Sequence, residues 1–307
     1  MPGIIIHTLL GTQLLDRWRD SPALAPFPAG DPALRATFLA GCMGPDMGMY
    51  PGGKPLFSDL AHYVRTGELV RALLRESRSD AERAFAWGWA SHVLADVIIH
   101  PLINIAAGDL RGCGPLTYDD DAWSHLSVEV GADGCWFARW RELGIPALPP
   151  VPAGVVESVA RAYRAVYGPT IGTPAVRGSL SGWARWHRFS IALAGAASAK
   201  LYGRAGGRHG FQGFARRVAK LGTGVFAWGS RVHGLTHPLA PSARAEGLIE
   251  NALVEYPERF RELERDGLES LPDYNLDTGT VEQPVAYPPT VKTLARLRRE
   301  NAGATRC

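Results

Sequence analysis

Four cysteines in 307 residues, Cys42, Cys113, Cys135 and Cys307, stand far apart with no C-x-x-C pair, which excludes a thiolate zinc knuckle and a dithiol redox motif. They read as reduced thiols. No run of about 18 or more apolar residues is present, so no transmembrane segment is expected. The opening MPGIIIHTLLG lacks a basic n-region, and His7 interrupts its apolar run before an h-region can form. A secretion signal is therefore not expected, and the cytoplasm is the expected location. The formal charge is only +3, whereas a chain built around a polyanion is more often clearly basic, so strong nucleic-acid binding is not expected. Alternating strand patterns and fixed-period repeats are also missing, which argues against sheets and solenoids.

What is present reads at helical period, and the fold class expected is all-α. Residues 31–42 open with Asp31 as an N-cap and Pro32 at the first helical position, where its missing N–H costs nothing. From Ser79 a long segment, SDAERAFAWGWASHVLADVIIHPLINIAA, carries a cap, acids in its first turn and apolar residues all round, the pattern of a central buried helix. A further helix is expected from the run Asp119, Asp120, Asp121 towards Trp140, and others near 154–166, 180–202, 209–228 and 242–266. Residues 1–270 are expected to form one helical domain. Residues 271–307 read as an irregular extension on the surface, closing with a short basic helix, TVKTLARLRREN.

In the central helix His92, Asp96 and His100 are spaced i, i+4, i+8 and share one stripe. Their neighbours Phe85, Trp87, Trp89, Val93, Leu94, Val97, Ile98 and Ile99 carry that stripe into an apolar interior. Burying an ionisable group without a partner costs roughly several kcal/mol, so three in a line need satisfaction, which a cation provides. His125 and Glu129 repeat the i, i+4 spacing on the next helix, while Asp46 and His62 precede the central one. Each pair alone is an ordinary core or surface pair; together they form a candidate multinuclear metal site. Nitrogen and oxygen donors without sulfur suit zinc, and less exclusively other divalent transition metals.

The order HTLLG, GPDMG, AHYVRTG, WASHVLADVIIHP, SHLSVEV over roughly residues 1–130 resembles the zinc-dependent phospholipase C family, which shares a helical bundle with the S1/P1 nucleases. The resemblance implies two or three zinc ions. Asp46, His62, His92 and Asp96 would hold the first and His100, His125 and Glu129 the second. Asp96 would bridge to a third, together with His7 and the chain's own amino terminus. Met-Pro replaces the terminal tryptophan of secreted members, so Pro2 would be the terminus after loss of Met1, with IIIH as an extended arm carrying His7 inward. Met47 and Asp59 stand where those members have the aromatic residues of a choline cage, so that cage is not expected; Tyr50, Phe57 and Tyr63 are near enough in sequence to line a different pocket. Glu129 leans to the phospholipase side, because the nucleases place an aspartate there.

The activity that the resemblance implies is zinc-dependent hydrolysis of a phosphoester in a lipid or small molecule. Water activated by the metals attacks phosphorus, and Asp46 is both a ligand and the acceptor of the water's proton. Alternatives are an S1/P1-like nuclease or nucleotidase, and a biosynthetic enzyme that turns the same site to other small-molecule chemistry. His233 and His237 have ligand spacing, but Gly234 and Pro238 break the helix that would align them. The basic stretch with Arg204, Arg208, Arg216, Arg217 and Lys220 reads as solvated surface, and Trp183, Trp186 and His187 as core packing.

Overall fold

The computed structural model describes residues 3–50, 52–143, 149–168, 171–203 and 237–281. Its long elements are helices: α1 Ile4–Asp20, α2 Pro32–Gly41, α3 Pro55–Tyr63, α4 Thr66–Arg75, α5 Asp80–Arg111, α6 Ala122–Leu143, α7 Ala153–Tyr167, α8 Thr173–Tyr202 and α9 Ala243–Asp266. Among the described residues strand pairing is limited to one isolated bridge, Tyr274 with Val281. The fold is all-α, as the helical period predicts. The expected helices at 209–228 and in the terminal TVKTLARLRREN lie outside the described residues, as do His233 and the arginines of the basic stretch.

Capping fixes the starts of α2 and of the site-bearing α5. Asp31 accepts the Ala33 N–H at α2, and Ser79 accepts the Glu82 N–H at α5, each satisfying an amide that the first turn cannot. The Glu82 side chain returns to the Arg78 N–H. Helix α5 is long and apolar enough to cross a membrane, yet here it is the core helix, packed by α2, α4, α6, α7 and α9. It meets α2 backbone to backbone. A Cβ on Gly88 would lie 2.0 Å from the Phe38 carbonyl oxygen, and one on Gly41 would lie 2.3 Å from that of Phe85, so only glycine permits this crossing.

Three expectations need correction. The IIIH segment is helical rather than an extended arm, because Ile4, Ile5 and Ile6 are buried on every side and the Asp133 carboxylate from α6 accepts the Ile5 and Ile6 N–H groups at 3.3 and 3.2 Å. Reduced thiols are found at Cys42 and Cys135, whereas Cys113 is disulfide-bonded. Residues 271–281 are not a surface excursion. Leu271, Asn275, Leu276 and Asp277 are buried, and the Leu276 N–H donates to the His62 carbonyl at 2.9 Å. Gly279, with φ +70°, presses on the Val97 carbonyl, where a Cβ would come within 2.5 Å. Pro101, inside α5, has no N–H to give Val97, and this leaves a face of the helix open to that approach.

Candidate metal centre

Asp96 is the hub of a fully buried cluster. Its Oδ2 lies 2.9 Å from His92 Nε2 and 3.5 Å from His62 Nε2. Its Oδ1 lies 3.1 Å from His7 Nε2 and 3.4 Å from His100 Nε2. His62 Nε2 also faces Asp46 Oδ1 at 3.4 Å. Glu129 Oε1 stands 3.3 Å from His100 Nε2 and 3.1 Å from His125 Nε2. Three groups of donor atoms, each within 4.8 Å, result: Asp46, His62 and His92; His7, His92 and Asp96; His100, His125 and Glu129. All eight residues singled out in the sequence therefore converge. The expected groupings differ at two points: Asp96 falls in the His7 group and not in the Asp46 group, and His92 belongs to both. Met1 and Pro2, the expected terminal donor, lie outside the described residues.

The folding reasons are local. The i, i+4, i+8 spacing delivers His92, Asp96 and His100 from one face of α5. His62 comes from the last turn of α3 and Asp46 from the short 3₁₀ turn Pro45–Gly48; the Ser58 hydroxyl ties that turn to α3 by donating to the Pro45 carbonyl and accepting the Gly48 N–H. His92 Nδ1 donates to the Cys42 carbonyl at 2.7 Å and His62 Nδ1 to the Ser58 carbonyl at 2.8 Å, so in both rings the proton sits on Nδ1 and Nε2 is left as an electron-pair donor. His7 stacks on His92 with ring centroids 4.0 Å apart and planes 8° from parallel.

The electrostatics call for positive charge at the centre. Burial opposes ionisation of Asp96, but the imidazoles of His100, His92 and His7 outweigh it and hold the carboxyl well below its usual range. Burial likewise opposes ionisation of Asp46, which His62 and His92 nonetheless keep low. For His100 burial works against the charge, and Asp96 with Glu129 overcomes it, raising the pKa to about 9. Burial and the neighbouring His92 lower His7, while Asp96, against burial, raises His92.

Zinc fits this donor set. Among the described residues both carboxylate oxygens of Asp46 and Asp96, Nε2 of His92 and both ring nitrogens of His100 are buried without a hydrogen-bond partner. So many orphaned donors and acceptors would cost roughly 1–3 kcal/mol apiece, and shared cations would satisfy those that face the cluster. Atoms ligating one tetrahedral zinc at about 2.0–2.1 Å are roughly 3.3 Å apart, the spacing seen around Asp96 and Glu129.

Sequence reasoning missed two carboxylates that support the cluster. Asp133 continues the stripe of His125 and Glu129 at i+8 on α6, mirroring the spacing in α5, and that signal was readable; it caps α1 and so sets His7. Burial raises its pKa to about 8 against the lowering by the α1 amides. Asp277, in the loop beyond α9, had no local signal. Tyr50 and Phe57 prove to be core residues, Phe57 packing edge-on against Tyr163 at 5.3 Å. Tyr63 lies beside His62, ring centroids 6.1 Å apart. His187 is buried and Trp186 packs on Phe189, in keeping with core roles. His237 is exposed.

The zinc dependent phospholipase C family model matches residues 6–171, a stretch that contains all eight convergent side chains. No curated protein and no solved structure matches the chain. The match runs over more than half of the sequence, and within it the motifs of the family meet in space as one buried cluster of the donor types its name requires: the chain belongs to the zinc-dependent phospholipase C family.

Proposed function

We propose that this chain is a zinc-dependent phosphoester hydrolase of phospholipase C type. Asp46, His62, His92 and Asp96 hold one zinc, His100, His125 and Glu129 a second, and His7 with Asp96 a third. The observation that carries the reading is the convergence of four imidazoles on the two oxygens of the buried Asp96 carboxylate, with Asp46 and Glu129 beside them. When bound, divalent cations polarise a phosphoryl oxygen, lower the pKa of water to near 7 and offset charge on the leaving oxygen. The residues of the chain do the rest. Cys42 and Ser58 carbonyls hold the histidine tautomers that donate. Asp46, ionised because His62 and His92 outweigh its burial, is placed to take a proton from water and, being a weak base, to return it.

A cavity of about 10 Å³ adjoins the cluster, lined by Ile6, Ile99 and Ile103 with His7, Asp96, His100 and Glu129, about the room that one water occupies. The lipid as substrate is taken from the family, which is described as a phospholipase C. The test compares a phosphatidyl lipid, a water-soluble phosphodiester and single-stranded DNA as substrates of zinc-loaded protein. Release of diacylglycerol, lowered about 10²–10⁴-fold by Asp46→Asn, supports the reading; turnover of DNA alone makes the chain a nuclease of the related type, and turnover of none, with zinc bound, points to other chemistry at the same site.

A further inference from the structure

His100 directs Nε2 to Asp96 and Glu129 at 3.4 and 3.3 Å. Its other nitrogen, Nδ1, is buried and has no hydrogen-bond partner among the described residues. His92 and His62 solve the same problem with a backbone carbonyl, but on the side of His100 no such carbonyl bond forms. What packs there is the loop after α9. Three contacts hold the loop that carries Asp277: Asn104, one turn beyond His100 on α5, donates Nδ2–H to the Asp277 carbonyl at 2.7 Å; the Tyr118 N–H donates to Asp277 Oδ2 at 3.1 Å; and Gly279, two residues on, presses on the Val97 carbonyl, one turn before His100. The carboxylate is about as buried as the ligands, at 5% exposure. Its Oδ1 has no partner among the described residues, and its negative charge acts on His100.

A buried acceptor and a buried ring nitrogen, each without a partner among the described residues, thus lie on elements joined one turn to either side of His100, through Asn104 and Val97, and leaving either group unpaired is costly. We infer that Asp277 is the positioning carboxylate of the His100 position: its Oδ1 takes the Nδ1–H of His100, directly or through one water, and so fixes the tautomer and rotation that present Nε2 to a zinc ion. The inference rests on the metal reading above and lies outside the segment matched by the family, residues 6–171. Carboxylate partners of ligating histidines raise the basicity of the ring, and their loss typically costs about 10–100-fold in metal affinity. It also gives the loop a function: residues 274–281 close the bundle and complete the metal centre from a distant part of the chain.

The test is zinc titration of the full chain against a competing chelator, for wild type, Asp277→Asn and Asp277→Glu, with melting curves of the zinc-free proteins alongside. The expected result is one class of zinc position weakened about 10–100-fold in Asp277→Asn and partly restored in Asp277→Glu, the other positions unchanged. Equal zinc affinities in wild type and Asp277→Asn, with only the zinc-free melting temperature lowered, would make the residue merely structural and overturn the inference while leaving the metal centre intact. Wild type that takes up no divalent ion removes both together. Should Asp277→Asn not fold, nitrogen-15 NMR of zinc-loaded wild type decides: a solvent-protected, hydrogen-bonded Nδ1–H on His100 supports the inference, and its absence overturns it.

Discussion

The crossing of α2 and α5 makes a quantitative prediction, because Gly88 sits where the two backbones touch. In Gly88→Ala the new Cβ would stand 2.0 Å from the Phe38 carbonyl oxygen, against the 3.4 Å at which ordinary contact begins. Helix α2 must then retreat by about 1.4 Å, the difference between those two distances. That shift also carries the Cys42 carbonyl away from His92 Nδ1, now 2.7 Å distant, and beyond hydrogen-bonding range. Overpacking costs about 1–3 kcal/mol and an orphaned buried N–H about 1–3 kcal/mol more, while alanine returns roughly 1 kcal/mol of helix propensity. The net loss is about 1–5 kcal/mol, centred near 3, or a fall of roughly 5 °C in Tm for a chain of 307 residues. Gly247 supplies the control, since it is exposed in α9 with nothing within 4 Å of a Cβ, so Gly247→Ala should stabilise by up to about 1 kcal/mol. Thermal melts of both variants, with and without zinc, are the assay. Gly88→Ala should in addition narrow the zinc-dependent rise in Tm, because His92 loses the bond that fixes its tautomer. A Gly88→Ala protein as stable as Gly247→Ala, with an unchanged zinc increment, would refute the reasoning.

Asp96→Asn should lose more than one zinc per chain and most of the zinc-dependent stability, since an amide cannot supply the charge that four imidazoles share; elemental analysis and melting curves check it, and full metal content would refute the hub. The zinc-free protein should lose a His100-dependent share of its stability as pH rises from 6.5 to about 9, because Asp96 and Glu129 raise the folded pKa of His100 above its ordinary value and this stabilisation, complete below the ordinary value, is lost as pH rises through the folded one; melts of zinc-free wild type and His100→Gln should converge at the alkaline end, and a constant difference would contradict it. Zinc uptake should accordingly release protons at neutral pH, measurable in weakly buffered solution. Cys42, fully buried and with its thiol pushed up to about 12 by that burial, should resist a disulfide reagent at pH 8 in native protein and react only on unfolding; reaction at the rate of the partly exposed Cys135 would show an open core.

Much of the site was legible because periodicity and chemistry coincide in α5. A stripe of His92, Asp96 and His100 inside an otherwise apolar helix has few physical explanations, and the i, i+4 pair in α6 restricts them further. The amino-terminal segment was misread for a tertiary reason: three consecutive isoleucines favour extended chain in isolation, but α1 starts there because Asp133, far away in sequence, supplies its cap. The 271–281 segment was misread for the opposite reason. Scattered prolines and a lack of period describe irregular backbone correctly, yet say nothing of burial, and the Asn104 amide and the proline-freed face of α5 that receive it are invisible locally. Asp277 is hidden in the same way, its significance residing wholly in what the fold places beside it.

Elemental analysis of the purified full chain, paired with a zinc titration of its melting temperature, tests the central claim most directly. The account predicts two or three zinc ions per chain, removed by a chelator, and a Tm that climbs as zinc is returned, by about 2.7 kcal/mol of stability for each position filled at a hundredfold excess over its Kd. A chain that purifies without divalent metal and melts at the same temperature with and without zinc would contradict it.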